Sequence, residues 1–173
     1  MHRQRSRNAA AVRGFSVPEL MIVLAVTALI AGLGASAYKT YVVRGQISQS
    51  LTLAANAERR VSQSFERDGD PPANRETAGL SRTKSDDHGR YVDSIDVVDG
   101  RIDLHFGNAA DAAIAGRTLS LTPYESVSRD VFWVCGNRVA GAGLRPLGFA
   151  NGARQAIQVV TPIEPRYLPP ACR

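Results

Sequence analysis

Arg13-Gly14-Phe15-Ser16-Val17-Pro18-Glu19-Leu20-Met21-Ile22-Val23-Leu24-Ala25-Val26-Thr27-Ala28-Leu29-Ile30 is the stretch on which the fold turns. No residue from Leu20 to Tyr38 carries a charge. As a helix rising about 1.5 Å per residue, Phe15 to Tyr38 reaches roughly 36 Å, enough to cross a hydrocarbon core about 30 Å thick. Glu19 stands just inside this block, where an ionised carboxylate is costly unless a cation meets it, so it is a functional candidate by default. Two plainer readings use the same run. In a secretory signal peptide, Arg3, Arg5, Arg7 and Arg13 form the basic region, Leu20 to Ile30 the apolar core and Ala35-Ser36-Ala37 the cleavage site, which releases a soluble domain. In a plain membrane anchor, Glu19 faces the headgroup layer. Neither gives the acid a task, and the apolar run exceeds the usual signal core of about 7 to 15 residues.

Downstream, the chain turns amphipathic without a turn signal, so one helix continues from apolar surroundings into water. Ile47, Leu51, Ala54, Val61 and Phe65 recur at helical spacing, with Arg44, Gln46, Asn56, Glu58, Arg59, Arg60, Gln63 and Arg67 largely on other faces. Asp68-Gly69-Asp70-Pro71-Pro72 ends the helix. Residues 68–89 are polar and read as a loop, with Ser85-Asp86-Asp87-His88-Gly89 a solvated acidic turn rather than a metal site. Four strands are expected. Tyr91 to Val98 and Arg101 to Phe106 flank the hairpin dipeptide Asp99-Gly100. Thr118 to Thr122 alternates and is closed by Pro123, and Val131 to Cys135 is apolar enough to be buried. Within the second strand, Ile102, Leu104 and Phe106 share one face and Arg101, Asp103 and His105 the other, which makes His105 an exposed strand residue rather than a ligand or base. With no second helix to cross over, these strands make an antiparallel sheet that lays one face on the helix, an α+β fold.

Gly14-Phe15-Ser16-Val17-Pro18-Glu19-Leu20 resembles the processing site of type IV prepilins, with Ser16 and Val17-Pro18 departing from the commoner residues. The resemblance implies a leader at 1–14, an apolar membrane and filament-core helix at 15–38 and a globular head at 39–173. It implies that a prepilin peptidase cuts between Gly14 and Phe15 and that Phe15 is then N-methylated. Glu19 would meet the new amine, in the same chain or a neighbouring subunit, and set the assembly register. Pro18 falls in the first turn, where its missing N–H needs no intrahelical partner. Trp133-Val134-Cys135-Gly136 and Tyr167-Leu168-Pro169-Pro170-Ala171-Cys172-Arg173 likewise resemble the disulfide-bounded C-terminal region of type IVa pilins.

The family implies a pilin fold with no cofactor and a homo-oligomeric helical filament serving adhesion, twitching motility or DNA uptake. It implies passage through the Gram-negative inner membrane and its pilus assembly machinery to the cell surface. A minor pilin or a type II secretion pseudopilin shares the leader motif, and the late cysteine pair shifts weight toward true pilins.

Charge and cysteines agree with export. The net charge is +5, and subtracting the four leader arginines leaves +1, so the basic excess is a topology signal that keeps the leader cytoplasmic. Outside the cytoplasm Cys135 and Cys172 are expected to pair, two free thiols being the cytosolic alternative. Nucleophile elbow, phosphate loop, His-Glu-x-x-His and Cys-x-x-Cys patterns are all missing from the sequence, which argues against an enzyme. Arg138, Arg145, Arg154, Arg166 and Arg173, with Phe149 and Tyr167 nearby in sequence, form the one candidate patch for DNA phosphates, and host-surface binding is the other partner class.

Overall fold

The computed structural model describes residues 14–150 and 153–173, the side chains of 33–36 excepted. The leader arginines therefore lie outside the described residues, and at the secretory cleavage site read at Ala35-Ser36-Ala37 the side chains of Ala35 and Ser36 do so too. The chain divides into two units, Met1–Tyr38 and Lys39–Arg173.

Helix α1 spans Val17–Asp68. It stops where Gly69 takes φ +71° and returns its N–H to the Phe65 carbonyl at 2.8 Å, a left-handed glycine cap backed by Pro71 and Pro72. Its buried stripe in the second unit is Val43, Ile47, Ser50, Ala54, Ala57, Val61, Ser64 and Phe65. The expected stripe is recovered except at Leu51, which is only half-buried beside the fully packed Ser50. Ser50 Oγ donates to the Gln46 carbonyl at 2.9 Å, so its hydroxyl enters the core already satisfied by its own helix.

Strands β1 (Val92–Val98), β2 (Arg101–Phe106), β3 (Thr118–Glu125) and β4 (Val131–Cys135) form an antiparallel sheet in chain order, and the two-residue β5 (Arg145–Pro146) pairs with β3. The β1–β2 turn is the expected one: Asp99 and Gly100 both take positive φ, at 47° and 81°. Ile95 and Val97 of β1, Ile102, Leu104 and Phe106 of β2, and Leu119 and Leu121 of β3 join the helix stripe in one core.

Four expectations are corrected. Pro123 does not close β3, which runs on to Glu125. Along β3 the pairing with β2 ends at Leu121 and the pairing with β5 begins at Tyr124, so the missing N–H of Pro123 falls in the gap, while its carbonyl accepts from Leu147 N–H at 3.0 Å. β4 is an edge strand with Phe132 exposed, not a buried one. The polar face of the sheet is roofed rather than bathed in water. Asp103, Ser120, Thr122 and Tyr124 are buried beneath residues 157–161, through Arg101 Nη1 to the Ile157 carbonyl (3.0 Å), Tyr124 Oη to Gln158 Oε1 (2.9 Å) and Thr161 Oγ1 to the Thr118 carbonyl (2.7 Å). His105 is accordingly half-buried, its Nδ1 3.0 Å from Thr118 Oγ1.

The fourth correction concerns the acidic turn. Asp87 pairs with the guanidinium of Arg75, a fully buried side chain that also donates to the carbonyls of Ser81 (2.8 Å) and Ile95. The 68–89 loop is thus gathered around one cation whose donors are filled from the backbone. Among the described residues no group of His, Cys, Asp and Glu stands close enough to hold a metal.

The chain end is stapled by a Cys135–Cys172 disulfide with Cα atoms 4.5 Å apart, and Asn137 N–H donates to the Cys172 carbonyl at 3.1 Å. Gly136 turns β4 toward this staple with φ +59°, and a Cβ there would sit 2.8 Å from that carbonyl oxygen.

Candidate functional site

The first unit presents the start of α1 as an uncovered apolar surface. Leu20, Met21, Ile22, Val23, Leu24, Val26, Leu29 and Ile30 are exposed on all sides of the helix, from 49% at Val23 to 71% at Leu29. A helix apolar all round belongs in lipid or among other apolar chains, because a patch this continuous is not left in water. Thr27, the hydroxyl within the run, donates to the Val23 and Leu24 carbonyls at 2.9 and 3.0 Å, so it asks nothing of its surroundings.

At the head of this surface, Glu19 Oε2 accepts the backbone N–H of Ser16 at 3.4 Å, while Leu20 N–H bonds to the Ser16 carbonyl at 3.1 Å. Ser16-x-x-Glu19 is the capping-box pattern, in which a Glu three residues into the helix reaches back to the cap residue's donor. That local signal is present in the sequence and supplies a task for Glu19 that the membrane argument alone misses. The carboxylate therefore already points back along the chain, to the residue next to Phe15. Phe15 is 81% exposed, and the Gly14 position meets nothing within 4 Å, so the Gly14–Phe15 junction is open to approach.

In the second unit the five C-terminal arginines do not act as one cationic surface. Arg154 pairs with Asp70 at 2.7 Å, Arg166 pairs with Glu164 at 2.7 Å and lies over the Tyr167 ring, and Arg173 Nε donates to the Leu168 carbonyl. Arg145 stacks on Phe149, its guanidinium carbon 4.9 Å from the ring centre. Two of the five charges are thus offset by carboxylates, which weakens the case for a phosphate-binding stripe. Under the roof, the hydrogen bonds that Arg101 donates to the Asp103 carboxylate hold the Arg101 proton more firmly than usual, and burial pushes the Tyr124 hydroxyl upward. Burial likewise raises the Glu58 carboxyl on α1 above the ordinary range.

Known proteins supply the frame for this arrangement. Residues 43–173 match the family model described as pilin, a bacterial filament protein. The chain is 30% identical over 169 residues to the fimbrial protein of Neisseria meningitidis serogroup B, covering 93% of this chain and 94% of that one. It is also 30% identical over 162 residues to the type IV major pilin protein PilE1 of Neisseria gonorrhoeae, covering 93% and 87%. Fimbrial protein EcpC of Eikenella corrodens is 29% identical over 161 residues, covering 93% and 90%. With a matching family model over the whole sheet and disulfide region, and relatives aligned along nearly their full length, this chain belongs to the pilin family of bacterial filament proteins.

Proposed function

We propose that this chain is the structural subunit of a type IV pilus, acting by polymerisation and carrying out no bond-making chemistry of its own. The observation that carries the reading is the uncovered apolar band of α1 headed by a single carboxylate. In this reading residues 1–14 are a leader, 15–38 the membrane and filament-core helix, and 39–173 the head. The subunit waits in the inner membrane, is cut by prepilin peptidase between Gly14 and Phe15 and N-methylated on Phe15, and then passes to the assembly machinery. Helices solvated by lipid become solvated by one another, and a head-to-tail contact that closes no ring extends into a surface filament. Relatives named as major pilins favour this over the minor-pilin, pseudopilin and secreted-domain alternatives.

Within the filament, Glu19 meets the cationic amine of Phe15, in its own chain or the next. An unpaired carboxylate in that core is costly, so one axial register is rewarded and others are penalised. The capping contact to Ser16 supports this, because it aims the carboxylate at the chain end where the amine would appear.

Two substitutions separate the roles of Glu19. Glutamine fills a capping box as glutamate does, whereas alanine cannot. Glu19→Gln therefore keeps the helix start and loses the charge, and is expected to leave a processed, membrane-inserted chain that builds few filaments. Normal filament yield in Glu19→Gln with loss only in Glu19→Ala would reduce Glu19 to a cap and overturn the register role. Sheared surface filaments counted by electron microscopy, beside an immunoblot of the membrane fraction, give the readout.

A further inference from the structure

Where α1 enters the second unit, three segments are tied into a collar by hydrogen bonds. Gln46 Oε1 accepts the Asp111 N–H at 2.9 Å and Lys39 Nζ stands 3.8 Å from the Asp111 carboxylate, which holds the 107–117 loop against the helix. Arg44 Nε donates to the Arg166 carbonyl at 2.8 Å, which brings in the 162–167 loop. Arg117 joins the two loops, its Nη1 donating to the Pro162 carbonyl.

Four cations, Lys39, Arg44, Arg117 and Arg166, are thereby gathered with two carboxylates, Asp111 and Glu164. The carboxylates do not neutralise them. Glu164 meets Arg166 at 2.7 Å with side chains 50% and 63% exposed, and an exposed pair of this kind, like the longer Lys39–Asp111 contact, contributes little and is screened by salt. Arg44 and Arg117 bond only to carbonyls and have no carboxylate partner among the described residues. Like charges collected in one place favour a facing surface of opposite sign.

Chain continuity says what that surface is. Lys39 follows directly on the uncharged run that ends at Tyr38. Arg44 lies about 7.5 Å further along the helix than Lys39, and the polar layer beyond the hydrocarbon is roughly 5–8 Å deep, so long side chains at both positions can end among lipid headgroups. Tyr38 and Tyr41 are 70% and 77% exposed, and neither hydroxyl has a partner among the described residues. Exposed tyrosines at the end of an apolar helix suit a membrane–water interface, which takes the ring and the hydroxyl at once.

We propose that this basic collar seats the unassembled subunit on anionic phospholipid headgroups, with Lys39, Arg44, Arg117 and Arg166 receiving the phosphates. Guanidinium forks match phosphate oxygens, and the contribution of each cation depends on the negative charge of the leaflet. The proposal rests on the filament-subunit reading for one thing, that the apolar run of α1 lies in a bilayer. Drawing the subunit into a filament then gives up these headgroups, so anionic lipid makes extraction harder.

The test places the full-length chain in nanodiscs of equal parts phosphatidylcholine and phosphatidylglycerol, and native mass spectrometry counts the lipids that each released chain retains. Retained phosphatidylglycerol should exceed phosphatidylcholine about fivefold or more on the parent chain. The basic leader also draws anionic lipid, so the deciding quantity is the drop from parent to collar variants. The excess should fall about fivefold in Arg44→Gln/Arg166→Gln and about twofold in Lys39→Gln. Parity of the two lipids on the parent chain overturns the proposal, as does an excess that the variants leave unchanged. Lys39 has a half-exposed side chain, so its variant decides the matter even where loss of the Arg44 contact disturbs folding. A parent chain that enters no nanodisc overturns the bilayer placement itself and the filament-subunit reading with it, an outcome distinct from parity in a chain that has entered.

Discussion

Replacing both cysteines with alanine tests how the head holds its last third. The bridge joins residues 37 apart in sequence, Cys135 at the end of β4 and the fully buried Cys172 beside the chain end. Closing a loop of this size removes entropy from the unfolded chain worth about 4 kcal/mol in the chain-entropy model. A small domain has only about 5–15 kcal/mol in total, so the loss is a large share of it. The enclosed segment includes the roof over the polar sheet face, held otherwise by a few hydrogen bonds from Arg101, Tyr124, Gln158 and Thr161. Net contributions of about 1 kcal/mol each do not replace a covalent tie. Urea unfolding of the full-length chain in detergent, followed by fluorescence of the half-buried Trp133, should give a midpoint lowered by an amount equivalent to about 3–4 kcal/mol, with reduction of the parent chain giving a similar shift. A loss below about 1 kcal/mol would mean that the roof is held by its packing, and would refute the staple as its main tie.

Two further outcomes follow from the head. Arg101 and Asp103 form a pair with side chains only 14% and 12% exposed, and Ser120 Oγ donates to the same carboxylate at 2.6 Å. Arg101→Met strands that carboxylate under the roof and should cost about 3 kcal/mol in the same urea assay, whereas Arg101→Met with Asp103→Leu should recover much of it. Glu58 gives a pH signature. Burial raises its carboxyl above the ordinary 4.5, so the folded state holds this proton more tightly than the unfolded chain does. The associated stability is present below that ordinary value and is lost as pH rises through the raised one, which makes ionised Glu58 a cost at neutral pH. Glu58→Gln should therefore melt higher than the parent at neutral pH, with the difference vanishing in thermal scans below about pH 4.

Local chemistry made much of this fold readable in the chain. Asp99-Gly100 names its own turn, the alternation of Ile102, Leu104 and Phe106 names a strand face, and Gly69 before two prolines names the end of α1. The cysteine pair followed from compartment and count, and the bridge is present. What escaped is non-local. Nothing near His105 in sequence announces that residues more than fifty positions later will cover its face of the sheet, so a strict alternation placed it in water. Arg75 looks like any loop arginine until the carbonyls of Ser81 and Ile95 close around it. β5 is too short for any periodicity to announce its pairing with β3. At the assembly helix the apolar length was plain, and the Ser16-x-x-Glu19 cap was equally local, yet a carboxylate inside an apolar run draws the eye to charge before it draws it to capping.

The central claim is that the apolar helix begins, in the working protein, at a positive chain end made by cutting beside Gly14. Mass spectrometry of the N-terminal peptide from the exported chain tests it most directly. The account predicts a peptide starting at Phe15 with a methylated amine, and its loss when Gly14→Val blocks the cut. A chain that starts at Tyr38, or that keeps residues 1–14, would leave Glu19 without its cation and would contradict the account.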